Sequence, residues 1–179
     1  MATITRVFEF DAAHRVMNER VKCFNLHGHR FRLEVTFDIS QEYWGLGYPI
    51  DFKELKRIFG GFIDQFLDHA CILNPQDDEI INMCDKNNWR MWVMGFCLRD
   101  IDKNPSAENL ADELFVSFKE LATLCPEKFT INSVRLYETP NCWVDVNSSE
   151  TELTEAFRHS LTKWRESMGN FEYDARKCQ

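Results

Sequence analysis

From His27 to Phe37 the residues alternate strictly in kind: His27, His29, Phe31, Leu33, Val35 and Phe37 hold one parity, and Gly28, Arg30, Arg32, Glu34 and Thr36 the other. Period two is the repeat of a β-strand, whose successive side chains leave on opposite faces, so the stretch predicts a strand with one buried and one solvated face. The buried face opens with two imidazoles. Side chains at i and i+2 of a strand are about 6 to 7 Å apart at Cα, close enough for both rings to converge on one metal ion.

An earlier strand, Ile4 to His14, ends in the same way, with Phe8, Phe10, Ala12 and His14 sharing a face. If the two strands form an antiparallel hairpin, the end of the first lies beside the start of the second, and His14 comes near His27 and His29. Three neutral imidazoles with no obvious fourth ligand leave a coordination position open, as catalytic zinc sites do, although imidazole also suits other transition metals. The connection, residues 15 to 26, is polar and charged as far as Cys23. Cys23 follows Lys22 and precedes His27 by four residues, surroundings that favour a reactive thiolate; the alternative is a small buried hydrophobe.

Further on, Gly45, Gly47 and Pro49 mark a turn-rich connection. Asp51 with Glu54 reads as a capping box, and Phe52, Leu55, Phe59, Phe62 and Phe66 give a helix one apolar face, with a kink expected at Gly60-Gly61. Leu67-Asp68-His69 closes that helix; Asp68 could orient the His69 ring for proton transfer, or the pair could simply sit at a helix C-terminus. Residues 75 to 104 read as a partly helical insertion covering apolar surface. Asn104 as N-cap and Pro105 at the first position open a second helix along Leu110, Leu114, Phe118 and Leu121, with Ser106 and Glu108 in its first turn either meeting a ligand or only capping. A third strand, Ile131 to Tyr137, places Val134, Leu136 and Glu138 on one face, and Trp143 to Val146 is a fourth. Ser149 to Glu152 suggests a capping box before a helix with Leu153, Phe157, Leu161 and Trp164 on one side, packing on its own or a neighbouring subunit, and residues 169 to 179 read as frayed.

The 179 residues, 44% of them hydrophobic, suffice for one core, with no sign of a second domain. Seven cysteines without paired spacing fit reduced thiols in a cytoplasm. A net charge of -8 argues against a general nucleic-acid surface. The basic residues near the histidines, Arg15, Arg20, Lys22, Arg30 and Arg32, could compensate an anionic substrate or could be the solvated side of strands and loop. Neither a leader-like apolar region at Met1 to Arg6 nor a membrane-spanning run is visible, so a soluble, unexported protein is expected.

Phe10-Asp11-Ala12-Ala13-His14, Cys23-x-x-x-His27-Gly28-His29, Asp51-Phe52, Leu67-Asp68-His69, Pro105 to Ala111 and Glu138-Thr139 resemble, in order, the motifs of the 6-pyruvoyltetrahydropterin synthase / 6-carboxytetrahydropterin synthase family. The short gap between Cys23 and His27 resembles the 6-carboxytetrahydropterin branch, which makes the queuosine precursor. The resemblance implies an α+β tunnelling fold (T-fold) at residues 1–147, a four-stranded antiparallel sheet with two helices on one face; the insertion near 75–104, longer than the family's usual connection, and the C-terminal helical extension at 148–179 depart from the family pattern. It implies zinc on His14, His27 and His29, catalytic Cys23, Asp68 and His69, Glu138 anchoring the pterin, Ser106 and Glu108 beside the substrate, and a trimeric or hexameric homo-oligomer with sites between subunits. The implied reaction takes 7,8-dihydroneopterin triphosphate to 6-carboxytetrahydropterin, acetaldehyde and triphosphate. Formation of the pyruvoyl product, a pterin- or purine-binding module without turnover, and a structural metal site stay open as alternatives.

Overall fold

The structure, a computed structural model, describes residues 3–17, 22–39, 50–97, 103–125 and 129–169. Strands β1 (Thr3–His14) and β2 (His27–Ile39) form the expected antiparallel hairpin, with His14 opposite His27 and Ala12 opposite His29. Alternation does what period two requires: Phe31, Leu33, Val35 and Phe37 are fully buried, while Arg30 is exposed. Register is thereby fixed, since a slip of one residue would turn both histidines out of the core face.

The expected four-stranded antiparallel sheet is corrected to a mixed sheet of six strands, in the order β4-β3-β1-β2-β5-β6. Strands β5 (Phe129–Thr139) and β6 (Cys142–Val146) extend the antiparallel side, as anticipated. The additional strands are β3 (Ala70–Leu73), parallel to β1 along Ala12 to His14, and β4 (Met91–Val93), parallel to β3. At four and three residues they are too short to carry a periodicity. Parallel neighbours need a crossover, and helix α3 (Asp78–Asn87) is that crossover. The stretch 75–104 therefore contributes a strand as well as a helix. Ile72 and Trp92 join the main core, whereas Leu73, with partly buried Cys71 and Met91, packs on Ile80 and Cys84 of α3 in a small second core. By strand alternation α3 lies on the sheet face opposite the other helices.

On the main-core face, α1 (Phe52–Leu55) and α2 (Gly61–Phe66) are joined by a π-helical turn, Lys56–Gly60, where the glycines had suggested a kink. Asp51 caps through the Lys53 N–H as expected, but Glu54 leaves the capping box open and pairs with Arg57. Leu55, Phe59 and Phe62 are fully buried; Phe52, in the first turn, is 51% exposed and does not belong to the apolar face.

Helix α4 (Ala107–Thr123) buries Leu110, Leu114, Phe118 and Leu121. Its N-cap is Ser106 instead of Asn104, because the Asn104 amide is occupied by the Met17 backbone and Asn74. Helix α5 (Glu155–Ser167) starts from Thr154 instead of Ser149, whose hydroxyl accepts from the Thr151 N–H. Leu153, Phe157 and Leu161 are buried within the same chain, and Trp164 meets Phe62 and Phe66 edge-on. The turn-rich stretch with Gly45, Gly47 and Pro49, Arg20 and the last ten residues lie outside the described residues.

Candidate metal centre

The hairpin register brings the three imidazoles together. Ring centroids are 4.5 Å apart for His14 and His27, 5.2 Å for His14 and His29, and 5.0 Å for His27 and His29. Phe31, one step further along the face, lies edge-on to His14 and His29 and closes the cluster from the core. The Glu138 carboxylate, at the end of β5, completes a group whose ligand atoms all lie within 4.8 Å of one another.

Hydrogen bonding fixes which nitrogen of two rings is available. His14 Nδ1 is 2.7 Å from the Pro105 carbonyl and His27 Nδ1 is 2.7 Å from the Asn25 carbonyl. A carbonyl only accepts, so both Nδ1 atoms carry a proton, which leaves Nε2 of each ring as the nitrogen that can meet a metal. His14 Nε2 is buried without a hydrogen-bond partner, 3.3 Å from Glu138 Oε1. An orphaned buried nitrogen at the centre of a converging imidazole group is what a metal ligand looks like before its ion. Burial pushes the His29 imidazole below its ordinary range, against the pull of Glu138, and keeps the ring neutral. Glu138 is held below the usual carboxylate range by His14, against its own desolvation. Three imidazole nitrogens and a carboxylate suit zinc or a neighbouring transition metal.

The other sequence-predicted residues divide into two locations. Cys23 is exposed in the short 3-10 turn Lys22–Phe24, which removes the buried-hydrophobe alternative. Its carbonyl accepts from the Val16 N–H, closing the loop whose Asn25 orients His27. Asp68 and His69 lie elsewhere. Asp68 Oδ1 accepts the Asp11 N–H at 2.9 Å and Oδ2 is 2.9 Å from His69 Nδ1, while the His69 N–H donates to the Asp11 carbonyl. His69, with Asp11, Ala13, Gly28, His29 and Arg30, lines a shallow cavity of about 490 Å³. Asp11 and Arg30 belong to the parity opposite Ala12 and His29, so their side chains, which face His69, leave the hairpin on the face opposite the imidazole rings.

Ser106 caps α4 through the Asn109 N–H, and Glu108 is exposed and outside the group of converging ligand atoms. What that segment supplies is the Pro105 carbonyl, which no side-chain pattern could reveal. Of the basic residues, Arg30 pairs with Asp11 and Arg32 with Glu34, which favours the solvated-face alternative for these two, whereas Arg15 is largely buried in an ion pair with Asp77 and Glu79. Lys22 is exposed.

Comparison with known proteins agrees with this architecture. The family described as 6-pyruvoyl tetrahydropterin synthase matches residues 3–149. The chain is similar to a 6-carboxy-5,6,7,8-tetrahydropterin synthase of Rickettsia bellii, 35% identical over 150 residues that cover 82% of this chain and 100% of the relative. It is also similar to one of Haemophilus influenzae, 32% identical over 152 residues, 81% of this chain and 98% of the other. Among solved structures, a Caenorhabditis elegans 6-pyruvoyl tetrahydropterin synthase superposes with a TM-score of 0.53 at 21% identity, covering 83% and 96% of the two chains, a likeness of fold.

Proposed function

The chain belongs to the 6-pyruvoyl tetrahydropterin synthase family, and from that we propose that it is a zinc-dependent 6-carboxy-5,6,7,8-tetrahydropterin synthase, a lyase of the queuosine precursor pathway acting in the cytoplasm. The observation that carries the reading is the orphaned Nε2 of His14 among converging imidazoles. The branch is supported by the short spacing from Cys23 to His27 and by the names of the curated relatives. With water, 7,8-dihydroneopterin triphosphate gives 6-carboxytetrahydropterin, acetaldehyde and triphosphate.

His14, His27 and His29 would hold the zinc, which when bound supplies Lewis acidity that eases proton removal beside the substrate's side-chain hydroxyls. The chain's own groups do the rest. Cys23 Sγ, exposed at the rim, takes a side-chain proton as thiolate. Asp68 holds the His69 ring by Nδ1, leaving Nε2 to give or accept a proton. Glu138, ionised and at the strand end, accepts paired hydrogen bonds from the pterin edge. Ser106 and Glu108 are retained only as residues bordering the substrate. Because the hairpin separates Asp68 and His69 from the cluster, a complete site needs two copies of the chain, in keeping with a trimer or hexamer whose T-fold units are residues 1–147 and whose extensions are 148–179. Incubating zinc-loaded protein with 7,8-dihydroneopterin triphosphate and identifying products by mass spectrometry tests this. Acetaldehyde with the carboxy product is expected; the pyruvoyl product would move the chain to the other branch, and tight pterin binding without conversion would make it a binding module.

A further inference from the structure

His69 adopts φ 59°, the left-handed region that a residue with a side chain avoids. Such a conformation persists only where its surroundings over-determine it. Two of its restraints come from β1: the His69 N–H on the Asp11 carbonyl and the Asp11 N–H on Asp68. A third comes from the far end of the β3-α3-β4 unit. Arg90, just ahead of β4, donates from Nη1 to the Asp68 carbonyl at 2.7 Å and to the Asp64 carbonyl at 2.6 Å. Asp64 is in the last turn of α2, where carbonyls lack intrahelical partners and a cation meets the negative end of the helix dipole. The Arg90 carbonyl in turn accepts the Cys71 N–H. The side chain thus ties the end of α2 to the turn carrying Asp68 and His69, and the Arg90 main chain holds the start of β3.

We propose that Arg90 is a positioning residue for the Asp68–His69 pair, fixing the turn that aims the His69 ring into the cavity beside Asp11 and Arg30. This rests on the proton-transfer role given to the pair above. Arg90 acts through the main chain: among the described residues its side chain donates to the Asp64 and Asp68 carbonyls.

The test uses the zinc-loaded full chain with Arg90→Met, Arg90→Lys, His69→Gln and the His69→Gln/Arg90→Met pair. Arg90→Met should lower kcat about ten- to a hundredfold with KM within about twofold, the scale of a misplaced catalytic group. Arg90→Lys, which can still reach a carbonyl, should recover part of the loss. In the His69→Gln background the Arg90→Met change should cost nothing more, because residues acting through one another are not additive. Equal losses in both backgrounds, or an unchanged kcat in Arg90→Met, would overturn the proposal. Amide exchange read by NMR serves whether or not turnover is seen: the His69 N–H should exchange at least about tenfold faster in Arg90→Met, with core strands such as β2 unchanged. Unchanged exchange at His69 would also overturn it. Absence of turnover in the unmodified protein would instead count against the proposed reaction.

Discussion

His14 is hydrogen-bonded on one side of its ring only: Nδ1 donates to the Pro105 carbonyl, while Nε2 is buried beside Glu138 without a hydrogen-bond partner. Substituting it with alanine should abolish stoichiometric zinc, read by metal analysis after gel filtration; zinc retained at one ion per chain would exclude it as a ligand. Glu138 invites a sharper distinction, since its carboxylate lies near enough to be a ligand itself. As the pterin anchor, Glu138→Gln should keep zinc and lower kcat/KM by about 10²-fold, the loss expected when a charge-assisted pair is broken. Loss of zinc in that variant would make Glu138 a ligand. The pH dependence has a definite sign. A depressed His29 value means that this ring charges only below the ordinary 6.5, so in metal-free protein its titration midpoint, read by NMR, should lie below 6.5. A midpoint above 6.5 would contradict the burial assigned to that ring. Cys23→Ser, at an exposed position, should leave the unfolding free energy within about 0.5 kcal/mol while removing at least about 10²-fold of turnover.

At the level of elements, the segment between Leu73 and Asn104 is tied to α4 through a buried carboxylate. Glu113 of α4 accepts the Trp92 indole N–H and the Gly95 N–H, and burial raises its pKa against those bonds. A raised carboxyl value means that this group contributes most to stability below its unfolded value of 4.5, a contribution lost as pH rises through the higher folded value. Glu113→Gln turns an amide N–H₂ toward one of two N–H donors and should destabilise by about 1–3 kcal/mol in denaturant unfolding at neutral pH; a change below about 0.5 kcal/mol would show that the bonds are not needed. The hairpin that carries the histidines was legible because alternation over β1 and β2 is long and uninterrupted. Strands β3 and β4 were not, since their pairing is decided by burial on both faces, which resembles any short apolar run. The Asn104 misreading has a related cause: a cap-forming amide chose tertiary partners, Met17 and Asn74, over its own helix. Glu138 was found from its place at the end of an apolar face, yet its approach to His14 depends on the β2–β5 register, which no local pattern contains.

For the whole molecule, the hairpin backbone divides the proposed machinery, with Cys23 and the imidazoles on one side and Asp68 and His69 on the other. If subunits complete one another's sites, mixing Cys23→Ala and His69→Gln proteins after dissociation and reassembly should restore turnover that neither has alone; no recovery in verified mixed oligomers would place the whole site in one chain. Everything above depends on the imidazole cluster being a working metal centre. The most direct measurement is a titration of metal-free protein with zinc, following turnover of 7,8-dihydroneopterin triphosphate for the unmodified chain and for His27→Ala. Activity rising linearly to a plateau at about one zinc per chain, and absent throughout in His27→Ala, is the expected result. Full turnover in the metal-free protein, or a His27→Ala variant that follows the same titration curve, would contradict it.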